Sequence, residues 1–331
     1  MAMAAGEEAE ASPLHLRHAP LLLFDHTNRQ ASSDGDDASP FFLYSIPSKR
    51  VLHKRVVEME RHRYWTTPQG WLVMASNFLP ATIFLWDPFT GDRIRLPPDR
   101  EGFLSGGSNP KRFLLSCKPV AADPSPSCLV LVADLSKTVL WYCRLGDDRW
   151  LQHEYDFAAI GGAGATRDNV LWSMRRLTSA GGKFYMYIFG KVVALHFSPE
   201  PVFTVIPADL NSATWVPCNG ASTTQLVESH GDLFGVRFNR SSYLQTRFVV
   251  GIGVFKLDLS AQAWVKVESS LGGRAFIVHH DWDMNNTHVS NGHLLPDEVN
   301  IKLHMLGASM VNWPAALSDD IGHSTIFGLC T

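Results

Sequence analysis

Four times between Gly70 and Val267 the chain runs through one scheme: an apolar segment, a polar turn, a second apolar segment, a second turn and a further strand-like stretch. The first copy is GWLVMASNFLPATIFLWDPFTGDRIRLPP, Gly70 to Pro98. Its apolar runs, Trp71 to Ala75 and Ile83 to Trp86, are short, rich in aromatic and branched residues, and bounded by Asn, Pro and Gly. Such runs read as strands. Between them and the next strand, DPFTGD offers Pro88 to pre-set φ and Gly91 where a positive φ is tolerated, which is hairpin chemistry. In RIRLPP, Ile94 and Leu96 should face a core while Arg93 and Arg95 face water. Pro97 and Pro98 cannot donate to a ladder, so the strand is expected to stop there.

The later copies are CLVLVADLSKTVLWYCRLGDDRW (Cys128 to Trp150), GKFYMYIFGKVVALHFSPEPVFTVIPA (Gly182 to Ala208), and LVESHGDLFGVRF (Leu226 to Phe238) followed by VGIGVFKLDLSAQAWVKV (Val250 to Val267). Their outer turns, at Phe89, Gly146, Glu200 and Ala261, are 57, 54 and 61 residues apart. That is about the length of one four-stranded blade with loose loops. With 331 residues, 45% hydrophobic and 11% aromatic content and no long polar linker, the chain can build one large core. Helical periodicity is ambiguous only in KRVLHKRVVEMERHRYW (Lys49 to Trp65), where Leu52, Val56 and Met59 share a helical face but Val51, Val57 and Met59 fit a bulged strand as well. The expectation is an all-β propeller of six blades, with five to seven compatible.

Taken in order, GWLVMAS...IFLWDPFTGDRIRLPP, WYCRLGDDRW, GKFYMY, LVESHGDLFGVRF and VFKLDLSAQAWVKVESSLGGRAF resemble the plant F-box-associated β-propeller family, a kelch-like family of grasses. The resemblance covers Leu21 to Phe276, and its motif positions are Gly70, Trp71, Asp87, Pro88, Gly91, Pro97, Gly146, Asp147, Trp150, Gly231, Trp264 and Gly272. It implies a propeller that binds other proteins, carried in such families behind an N-terminal F-box that docks onto a cullin-type ubiquitin ligase. Here Met1 to Pro20 is short and polar for an F-box, and the chain departs from the family pattern after Phe276. Residues 1–20 are therefore expected to be a disordered acidic and polar terminus, 21–276 the propeller, and 277–331 a divergent segment that closes the last blade or leaves it incomplete. Two binding roles follow: substrate recognition for a ubiquitin ligase, with cullin-ligase components among the partners, or an F-box-less scaffold or decoy.

A net charge of −3 and a pI near 6.5 argue against wholesale nucleic-acid binding. The one basic cluster, Lys49, Arg50, Lys54, Arg55, Arg61 and Arg63 beside Tyr64 and Trp65, is diluted by Glu58 and Glu60 and reads as a solvated face. Five cysteines, Cys117, Cys128, Cys143, Cys218 and Cys330, lack C-x-x-C spacing and follow no signal peptide, so they read as reduced thiols. Cytoplasm or nucleus is the expected location, and the sequons at Asn239 and Asn285 are read as chance. No apolar run approaches membrane-spanning length.

Candidate chemistry is thin. In HHDWD, His279 and Asp281 share a strand face, with His280, Asp283, His288 and His293 nearby, but no third ligand is fixed by spacing, and no metal or other cofactor is expected. GGAGAT (Gly161 to Thr166) lacks the Gly-Lys-Ser/Thr of a phosphate loop and has no clear helix after it. Gly251 and Gly253 mark a bulge or close backbone approach. Ser229-His230-Gly231-Asp232 holds three relay residue types, but as sequence neighbours they cannot form a relay. Asp87, Asp147, Asp148, Asp232 and Asp258 are conceivable glycosidase carboxylates, yet those in hairpin turns fit turn chemistry better, and no catalytic residue is expected. Trp71, Trp86, Trp141, Trp150 and Trp264 recur at blade spacing and should pack the core. Trp65, Trp282 and Trp313 lie outside that pattern and, with Arg144 and Arg237, are the candidate protein-binding residues.

Overall fold

The alternation read in RIRLPP holds residue by residue: Ile94 and Leu96 are buried while Arg93 and Arg95 are exposed. A computed structural model of the chain describes residue 14 and residues 21–26, 41–45, 48–52, 56–104, 110–122, 125–162, 164–210, 222–240, 249–268, 276–279, 301–306 and 326–329. Elements are numbered in chain order.

The chain divides into two compact units, the first made of residues 1–104 with 295–309 and the second of 105–294 with 310–331. In the first unit β1 (Leu21–His26), β2 (Phe41–Ser45) and β3 (Arg50–Leu52) are followed by α1 (Val57–Arg61), β4 (Arg63–Thr66), β5 (Leu72–Ala75), β6 (Ala81–Trp86) and β7 (Arg93–Asp99). Strand β21 (Ile301–Leu306) returns from far downstream to pair antiparallel with β1, giving the sheet β21-β1-β2-β3. The second sheet, β4-β5-β6-β7, is an antiparallel meander in chain order, the unit from which a propeller blade is made. One apolar cluster draws on both sheets through Leu21, Leu43, Leu72, Met74 and Trp86. Val56, the N-cap of α1, and Met59 within it join the cluster, so the ambiguous Lys49 to Trp65 stretch resolves into strand, short helix and strand. Leu14, inside the terminus expected to be polar, is also in this cluster, and its amide donates to the Pro88 carbonyl at 2.6 Å.

The second unit contains β8 (Lys111–Leu115), β9 (Leu129–Asp134), β10 (Val139–Arg144), β11 (Leu151–Glu154), α2 (Phe157–Gly161), α3 (Arg167–Met174), β12 (Thr178–Ala180), β13 (Lys183–Ile188), β14 (Lys191–Phe197) and β15 (Pro201–Ile206). It continues with β16 (Ser222–Ser229), β17 (Asp232–Arg240), β18 (Val249–Asp258), β19 (Ala263–Lys266), β20 (Phe276–His279) and β22 (Ile326–Leu329). Three four-stranded meanders result, β8 to β11, β12 to β15 and β16 to β19, together with the pair β20-β22. Residues such as Leu131, Leu140, Phe184 and Leu195 pack the first two meanders on each other, and Tyr185, Leu226, Leu257 and Trp264 pack the second on the third.

Turn chemistry explains the hairpins. Asp87 Oδ1 accepts from the Phe89 amide at 2.8 Å, and Gly91 takes φ +80°. Between β16 and β17, His230 and Gly231 both take positive φ, 55° and 81°, as a two-residue hairpin of matching twist requires. Gly235 serves close packing: a Cβ there would lie 3.1 Å from the Trp264 ring. Gly235→Val should therefore destabilise the protein by about 1–3 kcal/mol through overpacking. A thermal melt superimposable on wild type would show that the indole can swing aside.

Four expectations are corrected. Strand β7 does not stop at the double proline but runs through Pro97 and Pro98 to Asp99. It is the last strand of its sheet, and the register shifts between Ala81 and Ile83 on β6, so the prolines sit where no ladder donor is needed. A helix does follow GGAGAT: α3 begins at Arg167, and Thr166 Oγ1 accepts from the Asn169 amide at 3.3 Å as its N-cap. Cys117 and Cys128 are not reduced thiols but a disulfide, with Cα atoms 5.6 Å apart. The β8–β9 register Leu115↔Val130, continued by two residues, sets them opposite each other. Cys143 is a buried free thiol whose pKa is pushed up by burial and by the Asp147 charge, whereas Cys218 and Cys330 lie outside the described residues. Trp65, set outside the blade-spaced strand pattern, is itself a strand residue, half-buried on β4.

Candidate functional site

Among the described residues the two most exposed large apolar side chains sit where strands turn. Phe78 and Leu79, in the β5–β6 connection, are 82% and 70% exposed. They are held by a framework of polar contacts. The Ser76 amide donates to the Thr82 carbonyl at 3.0 Å, and Ser76 Oγ accepts from the Thr82 amide at 3.0 Å, closing the base of the loop. Asn77 Nδ2 reaches the Arg61 carbonyl at 3.5 Å.

Arg63, on β4, ties this loop to the next connection. Its guanidinium donates to the Leu104 carbonyl at 2.5 Å and to the Ser76 carbonyl at 3.4 Å, and lies 5.9 Å from the centre of the Trp65 ring. The buried Asp99 carboxylate accepts from the Phe103 amide at 3.0 Å and the Leu104 amide at 2.8 Å, so the segment after β7 is fixed as well. In the second unit the device recurs: Arg112, on β8, donates to the Leu177 carbonyl at 3.3 Å, and burial lowers its pKa to about 10. There the exposed apolar positions include Phe189 in the β13–β14 turn and Trp172 on α3, with Arg176 stacked 3.8 Å over its indole.

The described candidate binding residues read from sequence are divided between the two units. Trp65 belongs to the first unit, Arg144 ends β10 with its amide bonded to Asp147 Oδ2 at 2.7 Å, and Arg237, on β17, donates to Ser222 Oγ at 2.9 Å. Trp282 and Trp313 lie outside the described residues, as do Gly272, Asp281, Asp283, His280, His288, His293 and Asn285. His279 is the last residue of β20. Trp71, Trp86, Trp141, Trp150 and Trp264 are all buried, as their spacing suggests.

The carboxylates weighed for catalysis are occupied locally. Asp258 Oδ1 accepts from Ser260 and the Ala261 amide, and Asp232 pairs with Lys256 at 2.9 Å. Ser229 and Asp232 face each other across a hairpin turn, and Asn239 is buried in β17. Among the described residues no cluster of three His, Cys, Asp or Glu side chains could hold a metal ion, and no helix is long and apolar enough to cross a membrane.

Successive antiparallel meanders are the architecture on which residues 43–298 match the model of the KIB1-4 β-propeller. The chain belongs to that family. The propeller is also 22% identical over 267 residues to an F-box/kelch-repeat protein of Arabidopsis thaliana, an alignment that covers 78% of this chain and 62% of that protein. The chain thus spans less than two thirds of the length of the curated relative it matches. In a propeller of this kind the connections, rather than the strands, are the variable display surface. Phe78 and Leu79 escaped notice because they fall between the runs Trp71 to Ala75 and Ile83 to Trp86, in the connection rather than in a strand. The available signal was two large apolar residues between Asn77 and Pro80, where turn residues are expected.

Proposed function

We propose that this KIB1-4 family propeller is a non-enzymatic platform that recognises proteins for a ubiquitin ligase. The observation that carries the platform reading is the pair Phe78 and Leu79, apolar and exposed on a loop whose base is held by the Ser76, Arg63 and Asn77 contacts. Apolar side chains carried in solvent on a held loop are the raw material of binding hot spots, because little backbone entropy is lost when a partner covers them. The ligase role rests on the similarity to an F-box/kelch-repeat protein. In this reading residues 277–331 belong to the platform, supplying β21 and β22 to its sheets.

The test is quantitative co-purification of the tagged full-length chain from plant cells. Cullin-ligase adaptor subunits should be recovered stoichiometrically. Their absence, with another protein retained in their place, would replace the ligase role by that of a scaffold. Substituting Asp147 and Asp258 by Asn should leave partner recovery unchanged, since both serve local turns.

A further inference from the structure

We infer that the Cys117–Cys128 disulfide is a reversible redox latch, opened by glutathione-type thiols and closed by their disulfides, that sets how firmly the β8–β9 connection is held. The inference rests on the platform reading above, since a ligase-associated chain would work among thiols. Where glutathione keeps thiols reduced, the disulfides that do form are mostly transient or redox-sensing.

Backbone bonds hold the two cysteines together whether or not the sulfurs are joined. The Ser116 amide donates to the Leu129 carbonyl at 2.9 Å, and Ser116 Oγ accepts from the Leu129 amide at 2.8 Å. On the other side of β9, the Leu145 amide donates to the Cys128 carbonyl at 3.0 Å. These bonds carry the β8–β9–β10 register past the ladder and leave the Cys117 and Cys128 Cα atoms 5.6 Å apart, within the usual disulfide range. Opening the S–S bond therefore breaks no strand pairing. What it loosens is the connection beyond the pair, residues 118–127, which carries Val120 at 60% exposure.

Access to the bond is one-sided, because Cys117 is half-buried and Cys128 fully buried. An attacking thiolate bonds to Cys117 Sγ and breaks the S–S bond, and the electron pair leaves on Cys128 Sγ, which takes up a proton. The released thiol has an acceptor: Cys128 Sγ lies 3.5 Å from the Cys117 carbonyl, within reach of an S–H donor. A second thiolate then displaces Cys117, so one protein disulfide and two glutathione thiols become two cysteine thiols and one glutathione disulfide. Closing runs through the same steps in reverse. Cys143 is the competing thiol. It pairs with Val130 on β10, which puts it on the same sheet face as Cys128 and diagonal to it. It is fully buried, and burial together with the Asp147 charge raises its pKa, so little thiolate is present to intrude.

The experiment equilibrates the full chain in buffers of increasing ratio of reduced to oxidised glutathione, quenches in acid, alkylates the free thiols and maps the peptides by mass. The linked Cys117–Cys128 peptide should fall from nearly all of the chain to nearly none across the series and return when the ratio is reversed, with Cys143 free throughout. Elastase, added to native samples, should cut at Ala121–Ala122 about tenfold faster in the reduced form, since cleavage follows the population of the loosened connection. Cys117→Ser should be cut at the fast rate at every ratio, and Cys143→Ser should titrate as wild type does. The wild-type titration needs no variant, so a misfolded Cys117→Ser does not spare the inference. A linked peptide that persists at every ratio, one that never forms, one that joins Cys143, or equal elastase rates in the two forms would each overturn it. None of these results bears on which proteins are recovered in the co-purification, so the platform reading stands or falls there.

Discussion

Trp264→Ala is expected to lower stability by about 3–5 kcal/mol, the range for removing a large buried aromatic. Trp264 is 7% exposed on the last strand of its meander, packed in the cluster with Tyr185, Leu226, Phe255 and Leu257. Its Nε1–H donates to the Ala208 carbonyl at 3.2 Å, so the indole also ties β19 to the segment that follows β15. Alanine would leave a cavity and an unsatisfied carbonyl. Trp264→Phe keeps most of the volume and loses only the hydrogen bond, so it should cost about 1–3 kcal/mol. Urea denaturation followed by circular dichroism separates the two. If both variants shift the midpoint equally, the hydrogen bond rather than the packing carries the effect.

Asp134→Ala should cost about as much, 3–5 kcal/mol by the usual penalty for stripping one partner from a buried ion pair. Lys111 Nζ lies 2.5 Å from Asp134 Oδ2, and the two side chains are only 5% and 6% exposed. Asp134 Oδ1 also accepts from the Ser136 amide, Ser136 Oγ and the Lys137 amide, so it organises the β9–β10 turn as well. Lys111→Met combined with Asp134→Leu should recover part of the loss by removing both charges, but not the part due to the turn.

The same pair has a pH signature. Burial acts to raise the Asp134 pKa, but the hydrogen bonds from Lys111 and Ser136 and the Lys111 charge outweigh it and hold the carboxyl below its ordinary value. The unfolded value is about 3.9. Since the folded pKa is the lower, the carboxylate contributes stability that is fully present above the unfolded value and lost as pH falls through the folded one. Wild type should therefore lose more stability below about pH 4 than Asp134→Ala does, and the two curves should converge in acid. Parallel curves would mean that the carboxylate is not linked to folding.

What is local was legible. Period-two alternation marked Ile94 and Leu96 as buried and Arg93 and Arg95 as wet, since successive strand side chains must face opposite ways. Asp87, Gly91 and the His230-Gly231 pair announced their turns through side-chain bonding and positive φ. The spacing of outer turns recovered the meanders, because a hairpin repeats only if each sheet is built alike. Helices α2 and α3 escaped notice, being too short for a 3.6-residue period to declare itself.

What holds the exposed Phe78–Leu79 tip is less visible in sequence, because it is made of neighbours across strands rather than along the chain. Arg61 meets Asn77, and Arg63 meets Ser76, only because β4 pairs with β5. Cys117 and Cys128 are likewise unremarkable in sequence and opposite in register. The sequence alone determined the all-β architecture, the hairpin turns and the alternating core, since each depends on residues within a few positions of one another. Tertiary structure decided the path of β7 through its prolines, the partner of β1, the disulfide and the contacts that hold the Phe78–Leu79 loop, because those depend on which strands lie side by side.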